Sequence, residues 1–543
     1  MDPIAMNVTL ETPGDLLLAA RRAHSRRDWH ASYGGFSRAR ELGPLDTDDL
    51  DAMAMAAWRL GYAKESARLA EVVFTQLTKK DPMAAAMKAA EVALCWFVRG
   101  DANIGGAWKN RADRLVDGTP ECTVHGYLAY LDAMDAVVLR KLDDLPSRVR
   151  RLQEMSERLE DPALSALALV AQGLEAMLNG RMAEAYQVID EAMLPMLADQ
   201  VPIEWAGDMY CVVLHHCHKV ADLPRMRMWT RSMEQWCGLA GSVAFGGVCE
   251  VHRLQLEDGT DNYRQIEDRL YIVSNSLAPV NSLAAAEGFY QLGEVRRQLG
   301  DVEGALAAFA KTRDLGLEPQ PGEAMLRCSQ GDKQAAWSGL RIAMVGQQGI
   351  DRMRLLRGAV QIALAVDQLD EAEIHCRELE AGAAAYGTPG FKGWAAHARG
   401  AVLVRRGDFE AAVGALNAAL PEYRSQSCRY EMAEVYEWMA LAHRGLGDAD
   451  TAAADAATAA SIYDQLGVEP AGICGDTAQG PLTKRELEVL TRIAGGATNR
   501  QVAQLMVISE KTVSRHLANI YTKLGVSSRT AAVAWAHQNS LLT

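Results

Sequence analysis

Residues Pro481 to Thr543 read PLTKRELEVLTRIAGGATNRQVAQLMVISEKTVSRHLANIYTKLGVSSRTAAVAWAHQNSLLT. Three helix starts stand in this stretch. Thr483-Lys484-Arg485-Glu486 is a capping box, a hydroxyl and a carboxylate three residues apart that satisfy the orphan amides of a first turn. Thr498-Asn499-Arg500-Gln501 repeats the device with an amide. Ser509 caps a third helix that runs through Leu524 and stops at Gly525. Gly495-Gly496 separates the first two helices, and Met506 to Ser509 make a tight turn between the second and third. Two short helices joined so closely form a helix-turn-helix, whose second helix fits the major groove of DNA.

The apolar pattern agrees. Leu487, Leu490 and Ile493 make one stripe, Val502 and Leu505 a second, and Val513, Leu517, Ile520 and Leu524 a third. Burial of the third stripe leaves Glu510, Lys511, Ser514, Arg515 and Ala518 on the open face. In LTKRELEVL and GGATNRQVAQLMVISEKTVSRHLANIYTKLGVSSRTAAV the stretch closely resembles the C-terminal DNA-binding domain of LuxR-type transcriptional regulators. The family often carries Lys at the position of Ser514, so base preference does not transfer from relatives.

Upstream, one local pattern returns about twelve times. A helix ends, a Gly-Asp or similar turn follows, and a second helix starts with small residues. The clearest copies begin at Gly300, Gly331, Gly407 and Gly447, each followed by Asp. Weaker copies centre on Arg27, Gly61, Gly100, Asp143, Gly180, Ala221, Gly259 and Asp367. The period is near 38 residues, the mark of stacked helical hairpins. Gly ends the first helix, Asp caps the second, and small residues such as Ala305, Ala411 and Ala412 let the pair approach. One pair cannot bury its apolar face alone, so neighbours stack into a superhelix. The segment AEGFYQLGEVRRQLGDVEGALAAFAKTRDLGL resembles a tetratricopeptide repeat in Tyr290, Leu292, Gly293, Gly300, Ala305, Phe309 and Ala310. The body as a whole is similar to the helical-repeat sensor half of large LuxR regulators.

The expected fold is therefore all-α: a TPR-like solenoid over residues 1–466, a flexible Gly/Pro-rich linker over 467–480, and a helix-turn-helix domain over 481–543. Charge follows the same division. The whole chain carries −14, whereas from Pro481 onward eight Lys plus Arg face three Asp plus Glu, a net of +5, leaving −19 for the rest. A basic module on an acidic body suits a small contact with phosphate. The ten cysteines are scattered with no CxxC, which fits a reduced cytoplasmic protein with buried thiols. Apolar runs are interrupted by charge or amide, so no membrane span is expected. The opening MDPIAMN is uninformative.

No GxxxxGK[ST] loop, GxSxG elbow or HExxH motif occurs, and no strand-helix alternation suggests a receiver domain. No catalytic constellation stands out, so an enzyme, a cofactor and a metal are not expected. Three clusters tempt a chemical reading. Asp46-Thr47-Asp48-Asp49 begins like a calcium loop, but Leu50 and Asp51 break it, and an acidic helix start fits better. His215 and His218 share a helix face, as metal ligands would, and Cys249 and His252 have CxxH spacing; buried repeat helices account for both.

The reading that follows is a sequence-specific DNA-binding transcriptional regulator. Glu510, Lys511, Ser514 and Arg515 are the base-reading candidates, and Arg515 can donate twice to a guanine edge. Thr498, Arg500, Ser509, Thr512, Ser528 and Arg529 sit at helix starts and turns suited to phosphates. The resemblance further implies a dimer contact through the last helix, with Ala531, Ala532 and Trp535 as candidates, and hence a homodimer on a palindromic site. The repeat body is the expected sensor of a small-molecule, peptide or protein effector, with Tyr290, Glu294 and Arg297 as ligand-groove candidates. RNA polymerase is a further candidate partner. The alternatives are a TPR interaction scaffold and a metal- or thiol-based redox sensor, with DNA binding secondary.

Overall fold

The computed structural model describes residues 12–138, 141–198, 200–240, 243–257, 263–468, 470, 484–506, 508–524, 526 and 528–538. Every regular element among them is an α-helix. No helix among them is long and apolar enough to cross a membrane. The chain divides into two compact units, Met1–Cys474 and Gly475–Thr543. Most of the expected linker 467–480, the Thr483 cap, Gly259 and Gly525 lie outside the described residues.

Among the described residues the first unit is a solenoid of twelve helix pairs, from Pro13–Ser25 with Trp29–Leu42 to Arg429–Gly445 with Ala449–Leu466, with one short helix, Leu194–Leu197, between the fifth and sixth pairs. Ten of the expected turn centres take a left-handed φ. Three do so without glycine: Arg27 (φ 61°), Ala221 (φ 53°) and Asp367 (φ 58°). Asp28, Asp301, Asp408 and Asp448 cap the helix that follows, each accepting a backbone N–H at 3.0 to 3.3 Å. Asp101 and Asp332 stand at the same position without a side-chain cap. Asp46 caps the helix Thr47–Arg59 by accepting from Asp49 N at 2.8 Å, and Arg21 bridges both acids. Those acids are thus an ordinary helix start.

Packing within a pair follows from side-chain volume. Ala305 and Ala412 are fully buried at the seams. Ala411 is instead exposed, because it lies off the helix face that buries Ala412 and Leu416; its backbone N–H donates to the Asp408 cap. At Gly293 an added Cβ would lie 2.4 Å from the Phe309 ring, so the absence of a side chain is what lets the eighth pair close. One continuous apolar cluster then runs from Ala70 to Val468.

The winding was not legible from the repeat. Helix Ile203–Lys219 touches both Pro82–Arg99 and Gly349–Ala365, segments more than a hundred residues away on either side. Backbone and charge fasten these levels. Gly390 N donates to Ala221 O at 2.9 Å, Arg354 to His218 O at 3.0 Å, and Arg227 to Gln426 O at 3.2 Å. Arg59, 2% exposed, is paired with Glu204 at 2.5 Å. A buried cation of this kind persists only with its partner in place.

Gly390 is the tightest of these contacts, since an added Cβ would meet Ala221 O at 2.4 Å and Ala221 Cβ at 2.3 Å. Gly390→Ala should therefore destabilise the body by about 1–3 kcal/mol while leaving its helix content unchanged. Urea unfolding followed by far-UV circular dichroism checks this; an unaltered midpoint would mean that the two levels do not depend on the contact.

Candidate nucleic-acid interface and the inner cleft of the body

The second unit is built from Lys484–Ala494, Asn499–Met506, Glu510–Leu524 and Arg529–Gln538. Its core is Val489, Leu490, Ile493, Val502, Ala503, Met506, Val513, Leu517, Ile520, Leu524, Ala532 and Ala536. The third stripe lies where the sequence put it. The first two are shifted: Leu487 is only partly buried and Val489 takes its place, while Leu505 is 61% exposed and Ala503 and Met506 turn inward. In short helices the face is set by the packing partner rather than by spacing of leucines alone.

The two tight turns are held by their caps. Thr498 N donates to Gln501 Oε1 at 2.8 Å and Gln501 N to Thr498 Oγ1 at 3.3 Å, a closed capping box. Thr512 N donates to Ser509 Oγ at 3.0 Å. Ser528 Oγ accepts from Ala531 N at 3.2 Å. These caps fix the start of Glu510–Leu524, and the N-terminal half of that helix presents Glu510, Lys511, Ser514 and Arg515, all exposed, on one face. Ser514 is not a free hydroxyl: it donates to Glu510 O at 3.0 Å and accepts from Asn499 Nδ2 at 3.4 Å, tying the two helices. Asn519, one turn beyond Arg515, is exposed as well and was missed by the sequence reading.

Thr498, Arg500, Ser509 and Ser528 are exposed at helix starts, and Thr512 is partly so. Arg529 differs. It is half-buried, and its guanidinium donates to Asn499 Oδ1 at 3.2 Å and to Ala497 O. Its first role is to brace the turn that opens the second helix. Of the dimer candidates, Ala531 and Trp535 are partly exposed, but Ala532 is 1% exposed and belongs to the unit's own core, so it offers no surface to a second chain. Ala534, on the outer face of the same helix, is exposed.

In the body, the groove candidates Tyr290, Glu294 and Arg297 do come together. They line a cleft of about 850 Å³, counting the space open to solvent, with Gln298, Arg354, Arg357, Gln361, Tyr430, Glu431 and Glu434. All these residues belong to the first helices of their pairs. Arg297 pairs with Glu294 at 2.9 Å, and Arg357 pairs with Glu431 at 3.3 Å and with Glu434. Burial raises the Glu434 pKa despite the Arg357 charge beside it. Arg354, Arg357 and Gln361 were missed. Their signal is spacing: polar residues three and four apart on a helix that is apolar around them after its first turn.

The histidine clusters are buried together. His215 contacts Glu287, and His218 and His252 lie in the same electrostatic neighbourhood. Burial lowers the pKa of His215 and His252 and pushes His218 down to about 3. Among the described residues no group of three or more His, Cys, Asp or Glu is arranged to hold a metal ion.

Residues 480–536 match the family model described as "GerE: Bacterial regulatory proteins, luxR family". Over 61 residues the chain is 51% identical to the transcriptional regulatory protein LiaR of Bacillus subtilis (strain 168), covering 11% of this chain and 29% of that one. Over 63 residues it is 44% identical to the CsgBAC operon transcriptional regulatory protein of Escherichia coli (strain K12), covering 12% and 29%. The chain thus spans under a third of the length of these relatives. Among solved structures it is similar to the APC/C hetero-tetramer Cut9-Hcn1 at 14% identity and a TM-score of 0.41, over 96% of each chain, a likeness too faint to bear on function.

Two outcomes test this geometry. Arg529→Ala should speed amide exchange in Asn499–Met506 of the full chain by an amount equal to about 1–2 kcal/mol of local stability. Leu505→Asn should leave it within about 0.5 kcal/mol, since that side chain is 61% exposed and outside the unit's core. For the buried imidazole the sign is fixed by its lowered pKa. Below pH 6.5 the unfolded chain binds a proton that folded His252 refuses, so its contribution makes stability fall as pH falls. His252→Gln should remove a dependence of at most about 1.4 kcal/mol per pH unit, read as a flatter plot of unfolding midpoint between pH 6.5 and 5. Geometry and likeness agree on the terminal unit, which is a helix-turn-helix domain of the luxR regulatory type.

Proposed function

We propose that the chain is a sequence-specific, DNA-binding transcriptional regulator acting in the cytoplasm, in which the helical-repeat body senses an effector and controls the terminal domain. The observation that carries this is the exposed face of Glu510–Leu524, where Glu510, Lys511, Ser514 and Arg515 stand clear of a core that buries Val513, Leu517 and Ile520. In a helix seated in the major groove, the N-terminal residues reach base edges, and Arg515 matches guanine bidentately. Arg500 and the capped helix starts at Thr498 and Ser509 supply phosphate contacts. The luxR family match and the regulators similar to it over the same segment support this reading. The partly exposed Ala531 and Trp535, with exposed Ala534, are the surface through which two copies would pair on a two-fold site. RNA polymerase is the natural downstream partner of such a regulator.

Binding of the full chain to duplexes by fluorescence anisotropy tests the proposal. Arg515→Ala should weaken binding to a selected site by about 1–3 kcal/mol and relax preference at one base pair, with little effect on random duplex. Arg500→Ala should weaken both alike and reduce the slope of log K against log salt by about 0.9. An equal loss on specific and random DNA for Arg515→Ala would contradict base readout.

A further inference from the structure

The cleft in the body has hydrogen-bonding capacity that the protein itself leaves unused. Gln298 and Tyr430 are 9% and 3% exposed, yet among the described residues Gln298 Oε1, Tyr430 OH and Arg357 Nε find no hydrogen-bond partner. All three residues line the cleft. Buried polar groups are almost always satisfied, and three orphans around one opening call for a ligand or ordered water between them.

The charges point the same way. Among the described residues Arg354 makes one hydrogen bond, to the His218 carbonyl, and no ion pair. On the opposite helix Glu431 and Glu434 share the single guanidinium of Arg357. The cleft therefore has one cation without an anion and one carboxylate beyond what its arginine neutralises. A plain carboxylate or a plain amine would answer one excess and leave the other, half-buried, without a counter-charge. A molecule with both signs satisfies the two together.

We infer that the cleft binds a small zwitterion, an α-amino acid or a short peptide, with its carboxylate held by Arg354, Arg357 Nε and Tyr430 OH, and its ammonium by Glu434 and Gln298 Oε1. Trp394, partly buried in the same wall, offers an apolar face to a side chain. The cleft is small and partly open to solvent, which suits a free amino acid or a very short peptide rather than a folded partner. The inference rests on the reading of the body as the effector-sensing half and names the chemistry that half recognises. The lining draws on the eighth through twelfth pairs, so occupancy would clamp together successive levels of the C-terminal half of the solenoid.

The test uses the purified full chain, scanned by thermal shift against the twenty common α-amino acids and a pool of di- to pentapeptides, with hits measured by calorimetry. A free amino acid or a peptide should bind, and which set responds tells the two sources apart. C-terminal amidation or N-acetylation of the hit should each weaken binding about ten- to a hundredfold. Arg354→Gln should do the same, and Tyr430→Phe, which keeps the packing, should cost several-fold with unchanged circular dichroism. Absence of any binder, equal binding of the amidated and acetylated forms, or undiminished binding by both variants would overturn the inference. DNA binding by the same ligand-free preparations is scored separately, so that failure here is distinguishable from failure of the regulator reading.

Discussion

The backbone of Gly390 lies against the backbone of Ala221, across a gap of almost 170 residues in sequence. This contact, with those of Arg354 and Arg227 to distant carbonyls, winds the helix pairs so that their first helices face one another instead of open solvent. An inward face that is enclosed must pair its charges. That constraint explains why ionisable side chains gather along the inside: Arg59 with Glu204, His215 with Glu287, and Arg357 with Glu431 and Glu434. Lys88 shows the balance most plainly, since burial works against its charge and Glu91 and Asp51 outweigh that effect, raising its pKa. Among the described residues the pairing is incomplete around Arg354 and Tyr430.

The terminal unit solves the opposite problem. Its core is aliphatic, and among the described residues most of its strongly polar side chains face outward, buried Glu486 and half-buried Arg529 being the exceptions. Its two turns are short because Thr498 and Ser509 satisfy the amides that would otherwise need longer loops. Rigid turns in turn fix the direction in which Arg515 points. The separation of charge, +5 from Pro481 onward against −19 elsewhere, leaves the basic unit as the part suited to a polyanion.

Much of this was legible in the chain. The caps at Thr498 and Ser509, the stripe Val513-Leu517-Ile520-Leu524 and ten of the repeat turn centres follow from local chemistry, and local chemistry is what a sequence displays. The errors share one cause. Leu505 was placed by spacing, and Ala411 and Ala532 by small size, whereas their exposure is decided by what packs opposite. Arg354 and Tyr430 were overlooked because they join Tyr290 only through the winding, and the winding depends on close backbone approaches that leave no local signature beyond a glycine. Glu294 and Arg297 were visible only because they share a helix with Tyr290.

The central claim is that the face of Glu510–Leu524 reads base sequence. Its most direct measurement is selection of duplexes from a random pool by the full-length chain, followed by sequencing of what is retained. The account predicts enrichment of a two-fold-symmetric motif containing guanine, lost when Arg515 is replaced by alanine. Retention of the pool without enrichment of any motif, by a preparation that still binds duplex at low salt, would contradict it.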